Sequence, residues 1–258
     1  MNTKAFNTKI SILVLLSAIL FSIVGCKKNE SATPALQTDS VFDIDGNKYH
    51  TVKIGNQWWM TENLRVKHYR NGKSILEILE NSTTLKWDTT VIIGAYCAYP
   101  RSSSDTLSLG LLYNGYAVTD TNNIAPQGWH VSTDNDWKEM EKYLGMKYYD
   151  AEATGWRGTN IGDMLKYSRS TNPIWRESEQ PYTVWPNNKS GFSALAGSCR
   201  LFNGIWGDPG LQATAFWWTV TKNSTKEVWY RYIDYNKAGV FRYYGNISNG
   251  YSVRCVKD

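Results

Sequence analysis

Histidine is scarce in this chain: three residues among 258, all far apart. His50, His68 and His130 form no i, i+4 pair and no H-E-x-x-H string, so the sequence carries no zinc signature. The G-x-S-x-G turn of a nucleophilic serine and the G-x-x-x-x-G-K-[ST] phosphate loop are also missing. Charge is mild, +5 overall. That gives no footprint for nucleic acid, which needs clustered Lys and Arg. No period of about 20–50 residues recurs, which disfavours a solenoid or a propeller. Long apolar runs are absent too. The longest, Ile10 to Val24, falls short of the roughly 20 residues of a membrane-spanning helix.

What that run does fit is an export signal. Lys4 and Lys9 precede it with no acidic residue, and it ends in Ile23-Val24-Gly25-Cys26. A basic start, a short apolar stretch and a small residue before a cysteine predict a lipoprotein signal over 1–25, cut before Cys26. Diacylglycerol on the Cys26 sulfur and a further acyl chain on its amino group would hold the chain to a membrane; two chains suffice where one is marginal. Residues 26–40 lack aromatics, are rich in Ser, Thr, Asn and Lys, and contain Pro34, which predicts a flexible tether. Lys27 rather than Asp follows the cysteine, so the simplest inner-membrane retention signal is missing and an outer-membrane position is favoured. The side it faces stays open.

Removing 1–25 takes away two lysines and no acids, leaving 26 basic against 23 acidic side chains, or +3. The remaining 41–258 is long enough for one sizeable domain. Aromatics are abundant, with 12 Trp and 17 Tyr. They favour strands and core, and they also make stacking surfaces. With Cys26 lipidated, Cys97, Cys199 and Cys255 are an odd set of disulfide candidates: one bridge and one thiol, in any of three pairings.

Val41 to Met60 alternates apolar and polar residues around Asp45-Gly46 and Gly55-Asn56, which predicts a β-meander. Asp43-x-Asp45-Gly46-Asn47 is read as a turn, since no closing glutamate follows as in a calcium loop. Ile75–Leu79 reads as a short strand or helix, Trp87–Tyr99 as β, and Leu109–Val118 as buried. Thr133 and Asp136 form the [ST]-x-x-[DE] pattern of a helix start; Trp137, Met140 and Leu144 share a face, and Gly145 stops it. A second helix is expected within Asn160–Tyr167. Strands are expected at Trp217–Thr221, Val228–Tyr235, Val240–Tyr244 and Tyr251–Val256. The class is α+β, mostly short antiparallel strands with one or two helices.

An ordered set of segments then resembles one family, the Fibrobacter succinogenes major paralogous domain. They are Asp43–Tyr49 running into Val52–Leu64, Gly110–Val118, Pro126–Thr133 with Trp137, Trp156–Asn160, Gly191–Leu195, Phe216–Thr219 and Gly250–Asp258. The resemblance implies an exported, often lipid-anchored protein and does not fix a function. The Gly-Trp-His strand before a helix and the final Val-Arg-Cys-Val strand are also similar to the C-type-lectin-like fold, a suggestion about fold only. Where this family often has a cysteine ahead of Pro-x-Gly-Trp, this chain has Ala125. Cys255 is then expected to pair with Cys97 or Cys199, or to stay reduced and buried.

No catalytic residue, metal or cofactor is expected. Trp185-Pro186-Asn187 and Trp206-Gly207-Asp208 only distantly match lectin calcium strings, and the first lacks the carboxylate. The chain reads as a lipid-anchored, non-catalytic binding or adhesion module for polysaccharide or a surface protein. Trp185, Trp206 and Tyr244, in Gly- and Asn-rich stretches, are the candidate ligand-binding residues. An envelope enzyme whose site is assembled in the fold, and a structural subunit of a surface assembly, are the alternatives.

Overall fold

The last residues of the chain connect all three of its sheets. The computed structural model describes residues 35–79, 86–99, 109–168, 175–176, 186–207 and 212–258, and Leu36–Asp258 form one compact unit. The first sheet contains β1 (Thr38–Phe42), β2 (Lys48–Ile54), β3 (Gln57–Met60), β13 (Cys255–Lys257) and β7 (Trp129–Val131), in that spatial order. The second runs β8 (Gly155–Arg157), β11 (Val240–Asn246), β10 (Glu227–Asp234), β9 (Thr214–Lys222). The third runs β12 (Gly250–Tyr251), β6 (Leu112–Asn114), β5 (Ala95–Cys97), β4 (Leu76–Glu77). Among the described strands, every ladder is antiparallel except β4 with β5.

Gly250–Tyr251 pair with β6 in the third sheet, and Ser252 then bridges Trp217 of the second. Cys255–Lys257 insert between β3 and β7 in the first. The single strand expected over Tyr251–Val256 is therefore two, broken where Arg254 turns inward. That side chain is completely buried. Its guanidinium donates to Asn63 Oδ1 at 2.9 Å, to Met60 O at 3.2 Å, to Ser193 O at 3.0 Å and to Phe192 O.

Among the described residues, four short helices join the sheets: α1 (Gly115–Val118), α2 (Asp134–Tyr143), α3 (Tyr148–Glu152) and α4 (Ile161–Leu165). Helix α2 starts as its sequence predicts. Thr133 Oγ1 accepts from Asp136 N at 3.0 Å, and the Asp136 carboxylate accepts in return from Thr133 N at 2.8 Å. It ends at Gly145, whose φ of +108° is open to glycine at no steric cost. Trp137 and Met140 pack beneath it with Trp59, Phe192 and Trp217, the Trp59 and Trp137 rings meeting edge to face at 5.3 Å.

The tether expected through Ser40 ends earlier, because Thr38–Phe42 already pair with β2 from Thr38↔Val52 to Phe42↔Lys48. Trp87–Tyr99 contributes only three strand residues; Trp87, Val91 and Tyr99 fill a separate core with Leu112, while Tyr96 joins the large core around Tyr113. The Asp43 loop is a turn: its carboxylate accepts from Asp45 N, Asn47 N, Asn47 Nδ2 and Tyr49 Oη, at 2.6 to 3.0 Å, and so is satisfied internally. No disulfide joins Cys97, Cys199 and Cys255, which are buried thiols. Cys97 packs in the Trp87 core, whereas Cys199 and Cys255 belong to the large core around Tyr113.

Between α2 and the second sheet lies an ionic cluster cut off from water. Glu141 accepts from Arg157 twice at 2.9 Å and from Arg231 Nε at 2.8 Å. Asp134 accepts from Arg231 Nη1 at 2.8 Å and from Arg242 Nε and Nη2 at 2.9 and 2.8 Å. Burial alone would push the Asp134 carboxyl up, but Arg242 and Arg231 outweigh it and hold its pKa at about 2. Three guanidinium groups against two carboxylates leave no carboxylate to spare. Glu141→Gln is therefore expected to destabilise the fold by about 3–5 kcal/mol in urea denaturation, because buried Arg157 loses its counter-charge and Arg231 keeps only Asp134. A loss within about 0.5 kcal/mol would show that the cluster is not a stability element.

Candidate binding face

The second sheet has two unlike faces because aromatic residues occupy alternate positions on adjacent strands. Phe216 and Trp218 on β9, Tyr230 and Tyr232 on β10, and Phe241 and Tyr243 on β11 project to one side, with Trp156 of β8. Antiparallel register then aligns them. Phe216 faces Tyr232, Tyr232 faces Phe241 and Phe241 faces Trp156, a row crossing all four strands. A second row runs Trp218, Tyr230, Tyr243. The intervening residues Trp217, Arg231 and Arg242 point to the other side, toward α2 and its carboxylates.

The rings touch one another. Phe216 and Tyr232 stack with centroids 4.5 Å apart at 13°, and Trp156 lies 5.2 Å from Tyr232 and 5.4 Å from Phe241. Exposure grows across the face. Trp218 is fully buried under Tyr251 at 4.2 Å, while Trp156 and Tyr243 are 40% and 39% exposed at the open end. Burial first, then Cys199 and Tyr243, pushes the Tyr230 pKa up to about 12. Burial and the hydrogen bond to Asp234 push Tyr232 up as well, its hydroxyl donating to Asp234 Oδ2 at 2.6 Å. These hydroxyls are neutral at physiological pH. The face therefore offers ring surface and hydroxyl donors, with Asp234 as its one formal charge among these positions.

The three candidate residues fall elsewhere. Trp185 lies outside the described residues, as does the lipidation candidate Cys26. Trp206 is half-buried in its own loop, stacked on Tyr99 at 5.8 Å with the Arg200 guanidinium 4.7 Å over its ring. Tyr244 stands on the opposite side of β11, meeting Trp229 edge to face at 5.4 Å, but it also stacks on Tyr243 at 4.4 Å and so borders the aromatic face. The face itself had a signal in the sequence: three strand segments with aromatics two residues apart, F-x-W, Y-x-Y and F-x-Y. Only the register shows that they line up.

Among the described residues, no three His, Cys, Asp or Glu side chains group as a metal site. Burial pushes the Cys199 thiol up to about 12 against the hydrogen bond with Gly207, and it pushes Cys255 up as well, so both are protonated near neutral pH. No described helix is long and apolar enough to cross a membrane.

His130 has a structural task. Its ring nitrogens meet Asp258 Oδ1 at 2.7 Å and Asp136 Oδ2 at 3.1 Å, tying the C-terminal residue to the start of α2. The hydrogen bond with Asp136 leads, burial opposes, and the Asp258 hydrogen bond adds; the net effect raises the His130 pKa. A histidine whose pKa rises on folding stabilises fully below its unfolded value of about 6.5 and loses that contribution as pH climbs through the raised value. Replacing His130 by Gln should therefore cost stability at about pH 6, and the deficit should shrink toward about pH 9. Urea titrations across that range measure it. A deficit that stays constant with pH would contradict the ion-pair role.

Comparison with known proteins agrees with the segments that the sequence displays. A model of the Fibrobacter succinogenes major domain matches residues 52–257. No curated protein and no solved structure matches the chain, so the C-type-lectin-like likeness gains no support from that side. The match covers β3 to β13, α2, the buried ionic cluster and the aromatic face: the chain belongs to the Fibrobacter succinogenes major domain family.

Proposed function

We propose that this protein is a lipid-anchored binding module of the cell envelope, without turnover, which holds a glycan or a protein surface on the aromatic face of its second sheet. The observation that carries this reading is the pair of aligned aromatic rows, open at Trp156 and Tyr243. Aromatic rings offer large area at low conformational cost, and their hydroxyls orient a polar partner. Aligned on a sheet, they are held without loop entropy to lose on binding. The basic start, apolar run and Gly25-Cys26 at the N-terminus support export and lipid attachment at Cys26, with an outer-membrane position. A C-type-lectin-like kinship of the fold belongs to the same proposal.

The test uses residues 36–258 on a panel of immobilised polysaccharides and matrix proteins. Saturable retention is expected on at least one surface. Trp156→Ala with Tyr243→Ala should weaken it at least tenfold, about 1.4 kcal/mol or more, with thermal unfolding little changed. Retention that survives the double substitution would move the site elsewhere. No retention anywhere by a folded protein would count against a recognition role.

A further inference from the structure

A concavity lies on the third sheet, and none of its lining residues belongs to the aromatic rows. It is a cleft of about 660 Å³, within the size range of small-molecule sites. Tyr69, Ile75 and Gly94 line it, together with the exposed side chains of Ile92 and Ile93 and the half-buried ring of Tyr116. Four charged residues also line it: Lys73 and Glu77 from the segment through β4, Asp120 after α1, and Lys222 at the end of β9. Sequence positions this far apart meet because Leu76 N, just after the 67–75 hairpin, bonds Gly94 O ahead of β5, while β9 packs against α1.

The charges are two of each sign, yet none of the four forms an ion pair with any described residue. The carboxylates meet only neutral donors. Asp120 faces the Tyr69 hydroxyl and accepts from Asn122 N and Nδ2 at 2.8 Å, and Glu77 faces the Tyr96 hydroxyl. Burial, and then those carboxylates, push both tyrosine pKa values up, so the hydroxyls donate and do not neutralise. Neither ammonium group meets a carboxylate of a described residue. Opposite charges that share one cleft without pairing, around an apolar floor, complement a molecule carrying both charges on an apolar body.

We infer that this cleft is a second binding site, and that it takes a short apolar peptide with both termini free. The peptide carboxylate meets Lys73 and Lys222, its ammonium group meets Glu77 and Asp120, and its side chains lie on Ile75, Ile92, Ile93 and Tyr116. This site is independent of the aromatic face, so either can fail alone.

The experiment follows the isoleucine methyl signals of residues 36–258 during titration with the dipeptide Leu-Leu, with N-acetyl-Leu-Leu and with Leu-Leu amide. Saturable shifts at Ile75, Ile92 and Ile93 are expected with Leu-Leu, and either blocked form should bind at least fivefold more weakly. In Lys73→Gln with Lys222→Gln the penalty for the amide should vanish; in Glu77→Gln the penalty for the acetyl form should shrink. These three side chains are exposed, so the variants fold, and unchanged shifts in the rest of the spectrum verify it. Absence of saturable shifts at the three isoleucines would overturn the assignment. So would blocked peptides that bind as well as the free one, or charge variants that leave the discrimination intact.

Discussion

The structure turns on one buried cation, Arg254, that makes no ion pair with a described carboxylate. Arg254 is fully enclosed, and burial pulls its pKa down to about 9, yet it remains charged at neutral pH. Removing a charge from water is costly unless fixed dipoles replace the lost solvent. Here three backbone carbonyls and the Asn63 amide oxygen do so, with the Phe192 ring 4.1 Å from the guanidinium carbon. Asn63 is saturated in turn. Its oxygen accepts from Arg254 and from Trp217 Nε1 at 2.8 Å, and its amino group donates to Leu109 O and Ser252 Oγ at 2.8 and 3.2 Å. Every group in this hub is therefore committed, and an error at any member leaves a buried polar atom unsatisfied.

The hub explains why the family resemblance consists of short segments scattered along the chain. Val52–Leu64 supplies Met60 and Asn63, Gly191–Leu195 supplies Phe192 and Ser193, Phe216–Thr219 supplies Trp217, and Gly250–Asp258 supplies Ser252 and Arg254. Trp156–Asn160 feeds a second buried system through Arg157, and Thr133 caps the helix that carries Glu141. The two systems meet the same, inner face of the second sheet, through Trp217 in one and Arg231 and Arg242 in the other, and α2 and the Trp137–Phe192–Trp217 aromatic core lie with them. A rigid inner side leaves the outer side free to hold its aromatic rows in register.

Local features were legible in the sequence wherever a local rule decides them. The Thr133 capping box, the Trp137–Met140 face, the Gly145 stop and the β1–β3 meander all follow from neighbours a few residues apart. Long-range facts were not. Nothing near Arg254 says that it breaks a strand, because its partners stand some 60 to 190 positions away. Nor could the sequence show that Trp206, in its Gly-rich loop, stacks on Tyr99 and lies under the Arg200 guanidinium. The aromatic rows needed register as well as alternation: shifting one strand by one residue would turn its rings inward and its arginine out.

A double-mutant cycle on Arg254 and Asn63 tests this account most directly. Urea denaturation of Arg254→Met, Asn63→Ala and the double variant, each as residues 36–258, gives the coupling between them. If the two form one saturated hub, each single change costs several kcal/mol and the double costs little more than the worse single, a coupling of at least about 1 kcal/mol. Additive losses, within about 0.5 kcal/mol, would mean that the two residues act separately and that the sheets are held together by something else.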